Sequence, residues 1–388
     1  MRQSTLRAAA VLLLTTSLLT KTNAQTAETI NVVTTAVPFL RISPDARAGG
    51  MGDVGIATSA DANASFWNLA KTPFAKQKSA IGLTYTPWLK DLGLTDVYMA
   101  TLAGYYKLDE EQAISASVRY FSLGNIQFTD FAGNDLAKSS PREFSFDFGY
   151  SRKLSEKLGL GISLRYINSS LAKGDAAGNG TIYKAGNAFA GDISLFHNGQ
   201  NAQGNGWNWG VVLSNLGSKI GYTNDAKNKD YIPANLGLGV AYTKVFDETS
   251  KLTFGLDVNK LMVPTPPTAT GDNYTDSSSL ADYRGYGVLQ SWTKSFGDAG
   301  SFGSELKEFQ VSVGAEYTYN DQFSFRAGYF YEDKTKGNRK YFTTGVGLKY
   351  NVIGINFSYL IPSGNGVTRN PLSNTLRFGL TFDIAGDK

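Results

Sequence analysis

The chain has 388 residues with no cysteine, one histidine, 42 glycines, 23 Phe and 21 Tyr, and its 37 Lys plus Arg against 33 Asp plus Glu give a formal charge of +4. Without cysteine there is no disulfide, no thiolate metal site, no Cys nucleophile and no lipidated N-terminal Cys. A lone histidine excludes a His-rich metal site, and a modest charge with no basic cluster gives nucleic acid nothing to bind.

In chain order, Arg2 and Arg7 precede an apolar run from Ala8 to Leu19, and Thr22-Asn23-Ala24 precedes Gln25. A positive head, a short apolar run and a small-residue site predict a cleavable secretory signal over residues 1–24. Its removal takes away three positive charges and leaves the mature chain near about +1. No later stretch approaches the ~18 apolar residues that a helical span requires. Residues 25–78 are rich in Ala and Gly, through Asp45-Ala46-Arg47-Ala48-Gly49-Gly50-Met51-Gly52-Asp53 and Asp61-Ala62-Asn63-Ala64-Ser65-Phe66-Trp67-Asn68. A disordered tail rarely keeps large apolar residues such as Phe39, Leu40, Phe66 and Trp67. This N-terminal periplasmic segment is therefore expected to fold back as a plug, with Asp45, Arg47, Gly49, Gly50, Gly52 and Asn68 as its motif.

From residue 79 to 388 the pattern has period two. Phe144, Phe146, Phe148 and Tyr150 alternate with Ser145, Asp147, Gly149 and Ser151, and Leu376, Phe378, Leu380 and Phe382 alternate with Arg377, Gly379, Thr381 and Asp383. A soluble sandwich also alternates, but a strand phase this rich in large residues over the whole chain, with aromatics near strand ends, is the signature of a lipid-facing barrel. About fourteen strands are predicted, near 79–88, 96–107, 112–123, 143–154, 157–169, 187–198, 206–216, 235–246, 251–262, 309–320, 322–332, 340–351, 352–361 and 375–384. Their connections alternate between tight turns, such as Ser155-Glu156 and Asn320-Asp321, and longer loops, the largest at residues 263–308. Short periplasmic turns and long external loops have that alternation, and an even strand count returns both termini to the periplasm. The reading is all-β: a transmembrane antiparallel barrel in the outer membrane, in contact with its lipid.

The polar phase carries Arg119, Asp147, Arg165, Asp257, Glu316, Arg326, Lys349, Arg377 and Asp383. The balance of signs favours structural ion pairs over a charge-selective pore. Asp147 with Arg165, and Glu316 with Arg326, are centred on tight turns and are expected to face each other across adjacent strands. Gly159-Leu160-Gly161, Gly237-Leu238-Gly239 and Gly345-Val346-Gly347 lie inside strands, so they are not dinucleotide loops; they let a plug or a neighbouring backbone approach the wall. His197 falls at the periplasmic end of the sixth strand, and no base stands near it in the pattern. The sequence gives no catalytic residue, metal or cofactor. In the large external loop Pro264-Thr265-Pro266-Pro267 stiffens the strand exit, and Trp292, Phe296 and Phe302 follow as candidate partner-binding aromatics.

Several of these stretches resemble the PorV family of the type IX secretion system of Bacteroidetes, itself similar to fourteen-stranded FadL-like barrels. They include Thr34-Thr35-Ala36-Val37-Pro38-Phe39-Leu40, Ser43 to Gly52, Lys260-Leu261-Met262-Val263-Pro264-Thr265-Pro266-Pro267, Lys336-Gly337-Asn338-Arg339-Lys340-Tyr341-Phe342, Ser358-Tyr359-Leu360-Ile361-Pro362 and Asn370 to Phe378. The resemblance implies a carrier that takes secreted proteins with a C-terminal signal domain from a large outer-membrane translocon and passes them to a sortase-containing attachment complex. FadL-like proteins often carry Asn-Pro-Ala after the plug motif; here Asn68 precedes Leu69-Ala70, which weakens transfer of a hydrophobic-ligand path. Two other functions compete: FadL-like transport of hydrophobic small molecules, and lipopolysaccharide deacylation, an activity associated with the family. The first needs an apolar lumen, whereas the inward phase is Gly, Ser, Thr and charge with Phe121 and Phe330 as exceptions. The second needs a base at the outer rim, where the only histidine is not expected.

Overall fold

The computed structural model describes residues 30–129, 133–175, 180–225, 228–268, 270–361, 372 and 374–384. The expected signal over 1–24, residues 25–29 and most of the last external loop lie outside the described residues.

Sixteen strands are present among the described residues: β1 (Ser79–Pro87), β2 (Val97–Lys107), β3 (Gln112–Leu123), β4 (Ile126–Thr129), β5 (Asp135–Ser139), β6 (Arg142–Lys153), β7 (Leu158–Ser170) and β8 (Gly186–Asn198), then β9 (Gly206–Gly217), β10 (Asn235–Val245), β11 (Ser250–Leu261), β12 (Phe309–Tyr319), β13 (Phe323–Tyr331), β14 (Lys340–Tyr350), β15 (Ile353–Ile361) and β16 (Leu376–Ile384). Fourteen of them close an antiparallel barrel in chain order, β1 pairing with β16, while β4 and β5 form a separate hairpin in one long connection. That hairpin is not among the strands expected from the sequence. Its strands have four and five residues, too short to carry a period.

The alternation sorts the two faces. In β1 Ile81, Leu83 and Tyr85 point outward and are 45–50 % exposed, while Ala80, Thr84 and Thr86 are buried inside. Phe146, Phe148, Leu164, Phe189 and Phe378 continue the outer apolar face around the barrel. Charged and hydroxyl side chains take the inner face, as a lipid-embedded wall demands. At one end the turns are tight and locally specified. Asp109 accepts the backbone N–H of Glu111 at 2.7 Å and of Gln112 at 2.8 Å, and Asp247 accepts those of Thr249 and Ser250 at 2.8 Å. Asn320 and Asp321 both adopt the left-handed conformation (φ 54° and 53°) in the tight turn between β12 and β13, which the Gln322 N–H closes on the Tyr319 carbonyl at 3.0 Å.

The opposite end carries the long loops. The largest holds, among its described residues, three helices at Asn273–Gly285, Val288–Lys294 and Phe302–Leu306. Asp272 caps the first by accepting the Thr275 N–H at 3.0 Å.

The segment before β1 occupies the lumen. Its short helix Ala46–Gly50 lies against β13 to β16, the helix Ala64–Trp67 against β2 and β3, and the 3-10 helix Leu69–Phe74 against β2, β3 and β6 to β8, while the 3-10 turn Pro38–Arg41 meets β3 through Phe39 and Phe121. Glycine makes that approach possible. A methyl group on Gly239 would lie 2.6 Å from Ile56 Cβ, one on Gly161 2.7 Å from the Ala70 nitrogen, and one on Gly345 3.0 Å from the Gly50 Cα. The apolar plug residues Val37, Phe39 and Leu40 pack with Met99, Phe121 and Ile167 of the wall, and the Phe39 and Phe121 rings stack at 6.5 Å.

Candidate functional site

Two regions carry the unusual chemistry: the interface between plug and wall, and the external loop at the opposite rim from the tight turns. At the interface each residue of the plug motif has a local task. Asp45 accepts the Ala48 N–H at 2.7 Å, capping the helix it precedes, and the Trp67 Nε1–H at 2.6 Å, tying the two plug helices together. Arg47 reaches the wall: its Nε and Nη2 donate to Glu316 at 3.0 and 2.8 Å, and Nη1 donates to Asp61 at 2.9 Å. Gly49 leaves room for the Arg377 side chain, and Gly50 for the Gly345 backbone. Gly52 takes φ 71°, and its N–H donates to Thr343 Oγ1 at 2.8 Å. Asn68 donates to the carbonyls of Ile56 (3.2 Å) and Leu195 (2.9 Å) and accepts the Ala70 N–H at 3.0 Å.

The wall answers with buried charges. Asp147 stands opposite Arg165 and Glu316 opposite Arg326 in the strand register, all four side chains facing the lumen. Neither is an isolated pair. Asp147 also lies 3.5 Å from Arg119, and Arg165 donates to Asp192 at 2.8 Å; Glu316 is shared between Arg326 (2.7 Å) and the plug's Arg47. Buried charges persist only when paired and hydrogen-bonded in this manner. Asp257, fully buried on β11, accepts the N–H groups of Gly55 (2.7 Å) and Ile56 (2.9 Å), while Lys71 of the plug donates to the Gly55 carbonyl at 2.7 Å. The chain at Gly55 is thus held from both sides. Burial lowers the Lys71 ammonium to about 8. The sequence pattern does not single out Lys71 and marks Asp257 only as an inward charge; it does not say what such a charge meets inside.

His197 lies on β8 near the tight turns, facing outward, its ring stacked 5.3 Å from Trp209 in the aromatic belt. It has no hydrogen bond to Ser, Asp or Glu among the described residues.

In the external loop the three candidate aromatics separate. Trp292 is half-buried, Phe296 is 49 % exposed with Lys260 Nζ 5.5 Å above its ring, and Phe302 is 78 % exposed. The residues that root the loop are others. Tyr231, Val263 and Tyr283 form a buried cluster, and the Tyr231 hydroxyl donates to the Tyr283 carbonyl at 2.8 Å. Lys219 Nζ donates to the carbonyls of Arg284 and Tyr286, both at 2.6 Å. Asp298, Glu305 and Glu308 converge closely enough to suggest a metal, but the Lys260 ammonium already bonds Glu305 and Glu308, and Lys336 bonds Glu308 at 2.8 Å. Burial works to raise the Glu308 carboxyl, but the hydrogen bonds from Lys260 and Lys336 outweigh it and hold the group below its usual range.

The family model of the type IX secretion system protein PorV matches residues 24–268, well over half of the chain. The chain belongs to the PorV family. It is accordingly an outer-membrane component of type IX secretion. Among solved structures, the toluene transporter TbuX of Ralstonia pickettii is 13% identical, covers 89% of this chain and 99% of its own, and aligns with a TM-score of 0.52. The P. putida toluene transporter TodX is 13% identical over 89% of this chain and 99% of its own, with a TM-score of 0.50. These likenesses show a shared FadL-like barrel fold. No curated protein matches the chain.

Proposed function

We propose that this PorV-family barrel binds secreted proteins through a C-terminal signal domain and moves them from a large translocon to a sortase-containing attachment complex, using its external loops. The observation that carries this reading is the occupied lumen. Plug and wall are joined by buried ion pairs and backbone hydrogen bonds at β11, β12 and β14, and the remaining space on the loop side is about 90 Å³. Small-molecule sites commonly enclose roughly 300–1,000 Å³. The surface left for recognition is the helical external loop, where Phe302, Leu289 and Tyr274 are more than two-thirds exposed. Exposed large apolar side chains on a loop of otherwise polar residues are suited to a protein partner.

A second reading, transport of a hydrophobic small molecule, draws on the fold shared with the toluene transporters. It requires the plug to leave its buried partners or the wall to part. Affinity purification from the native outer membrane, followed by identification of bound chains and extracted lipids, separates the two. Recovery of a translocon, a sortase or signal-domain cargo is expected; fatty acids or hydrocarbons without any protein partner would overturn the proposal.

A further inference from the structure

Among the described residues, the space between plug and outer mouth is lined by five arginines, Arg41, Arg119, Arg165, Arg339 and Arg377, and by a single carboxylate, Asp53. They divide into two groups. Arg119 and Arg165 share Asp147 and Asp192, so their charges are matched. Arg339 is held by Glu332 through two bonds of 2.8 and 2.9 Å, and Arg377 lies 3.5 Å from Asp53. Both carboxylates have further donors, Gln310 on Glu332 at 2.8 Å and Tyr341 on Asp53 at 2.7 Å. Arg41 is left over. Its guanidinium donates to the neutral Gln310 Oε1 at 3.2 Å and makes no ion pair among the described residues.

The backbone is strained to put Arg41 there. It ends the turn Pro38–Arg41, which begins after Val37 at φ 48°, a left-handed conformation that β-branched residues strongly resist. Such strain is maintained where the surroundings fix the chain for a task. Burial, followed by the like charge of Arg339, lowers the Arg41 guanidinium to about 10, so it stays charged at neutral pH. A further donor, Arg377 Nε, is buried without a hydrogen-bond partner in the same wall. Around the donors stand Ile42, Phe66, Trp67 and Trp88, so water competes poorly for them.

We infer that this cleft is a binding site for one carboxylate group, received by Arg41 with Arg339 and Arg377 beside it. Three cations against two carboxylates leave one positive charge, which a monoanion neutralises and a phosphate dianion overshoots. A planar carboxylate also matches the fork of a guanidinium. The group can come from a free small acid or from the end of a polypeptide entering through the outer mouth; the inference stands apart from the proposed handling of cargo.

The test is a saturation-transfer NMR titration of the full chain in detergent micelles at constant ionic strength. The probes are sodium propionate, a tripeptide with a free C-terminus, the same tripeptide amidated, and sodium phosphate. Saturable binding of propionate or of the free-terminus peptide, with none of the amide, is expected; which of the two binds more tightly identifies the source. Arg41→Gln should weaken that binding about tenfold or more while the barrel keeps its heat-modifiable gel shift, and Arg41→Lys should recover part of it. If Arg41→Gln impairs folding, Arg377→Gln in the same titration is expected to weaken binding as well. No saturable binding to the unaltered chain, equal affinity after Arg41→Gln in a folded barrel, or tighter binding of phosphate than of propionate would each overturn the assignment.

Discussion

Glu316 shows how one side chain can govern the plug. It accepts from Arg326 of the neighbouring strand and from Arg47 of the plug, and all three are largely buried. Replacing Glu316 by Ala leaves the buried Arg326 without its counter-charge and Arg47 with Asp61 alone, and a broken buried pair costs about 3–5 kcal/mol. Arg47→Ala is milder, because Glu316 keeps Arg326 and the partly exposed Asp61 can turn to water. The thermal midpoint of the gel-shifted barrel should therefore fall further for Glu316→Ala than for Arg47→Ala, and the reverse order would show that the plug side carries the load. Lys71 supplies a pH dependence of defined sign. Its folded pKa of about 8 lies below its ordinary 10.5, so between those values the unfolded chain binds the extra proton and stability rises with pH. The contribution is at most about 3 kcal/mol, from ~1.4 kcal/mol per pKa unit. The midpoint should increase from pH 8 to pH 10, and Lys71→Met should flatten that increase; an unchanged slope in the variant would assign it to another group.

At the level of elements, the wall glycines make a direct prediction. Gly161→Ala places a methyl 2.7 Å from the backbone nitrogen of Ala70 and from Ser194 Oγ, so the 3-10 helix Leu69–Phe74 must shift while the outer face of β7 is untouched. Overpacking of this kind costs roughly 1–3 kcal/mol. The barrel should still form, with the plug more open to protease; Gly303→Ala, where a methyl meets nothing within 4 Å, should behave as the unaltered chain. Equal protease resistance in both variants would contradict a wall shaped to the plug. These strands were legible in the sequence because a lipid-facing wall enforces period two, and a slip of one residue would bring Asp147 or Glu316 into hydrocarbon. The same logic made the Asp147–Arg165 and Glu316–Arg326 registers calculable from the turns between them. It does not extend to the loop helices. Asn273–Gly285 reads Asn-Tyr-Thr-Asp-Ser-Ser-Ser-Leu-Ala-Asp-Tyr-Arg-Gly, with no apolar stripe, because among its described side chains only Tyr283 is buried. Nor could the sequence show that Tyr231, Tyr283 and Lys219 root the loop, since those contacts join segments about fifty to seventy residues apart.

At the scale of the whole molecule, a closed barrel filled by its own N-terminal segment offers two surfaces for work, the lipid-facing belt and the outer loops. The belt is continuous and apolar, so specificity toward a secreted protein has to reside in the loops. Interface energy concentrates in a few large side chains, most often aromatic ones. Among Trp292, Phe296 and Phe302 the environments give different expectations. Trp292 is half-buried, so its removal disturbs the loop as well as any partner. Phe296 lies beneath the Lys260 ammonium, which also bonds Glu305 and Glu308, so it belongs in part to the loop's own electrostatics. Phe302 begins the helix Phe302–Leu306 with 78 % of its surface free, and Leu289 on the preceding helix is 71 % free. Neither side chain can contribute much to folding. Phe302→Ala combined with Leu289→Ala should leave the heat-modifiable barrel unchanged and reduce surface delivery of cargo roughly thirtyfold if they are anchors worth about 2 kcal/mol. Trp292→Ala should lower both delivery and loop resistance to protease. Undiminished delivery in the Phe302/Leu289 double variant would remove these two residues from the docking surface and move the search to the β4–β5 hairpin at the same rim.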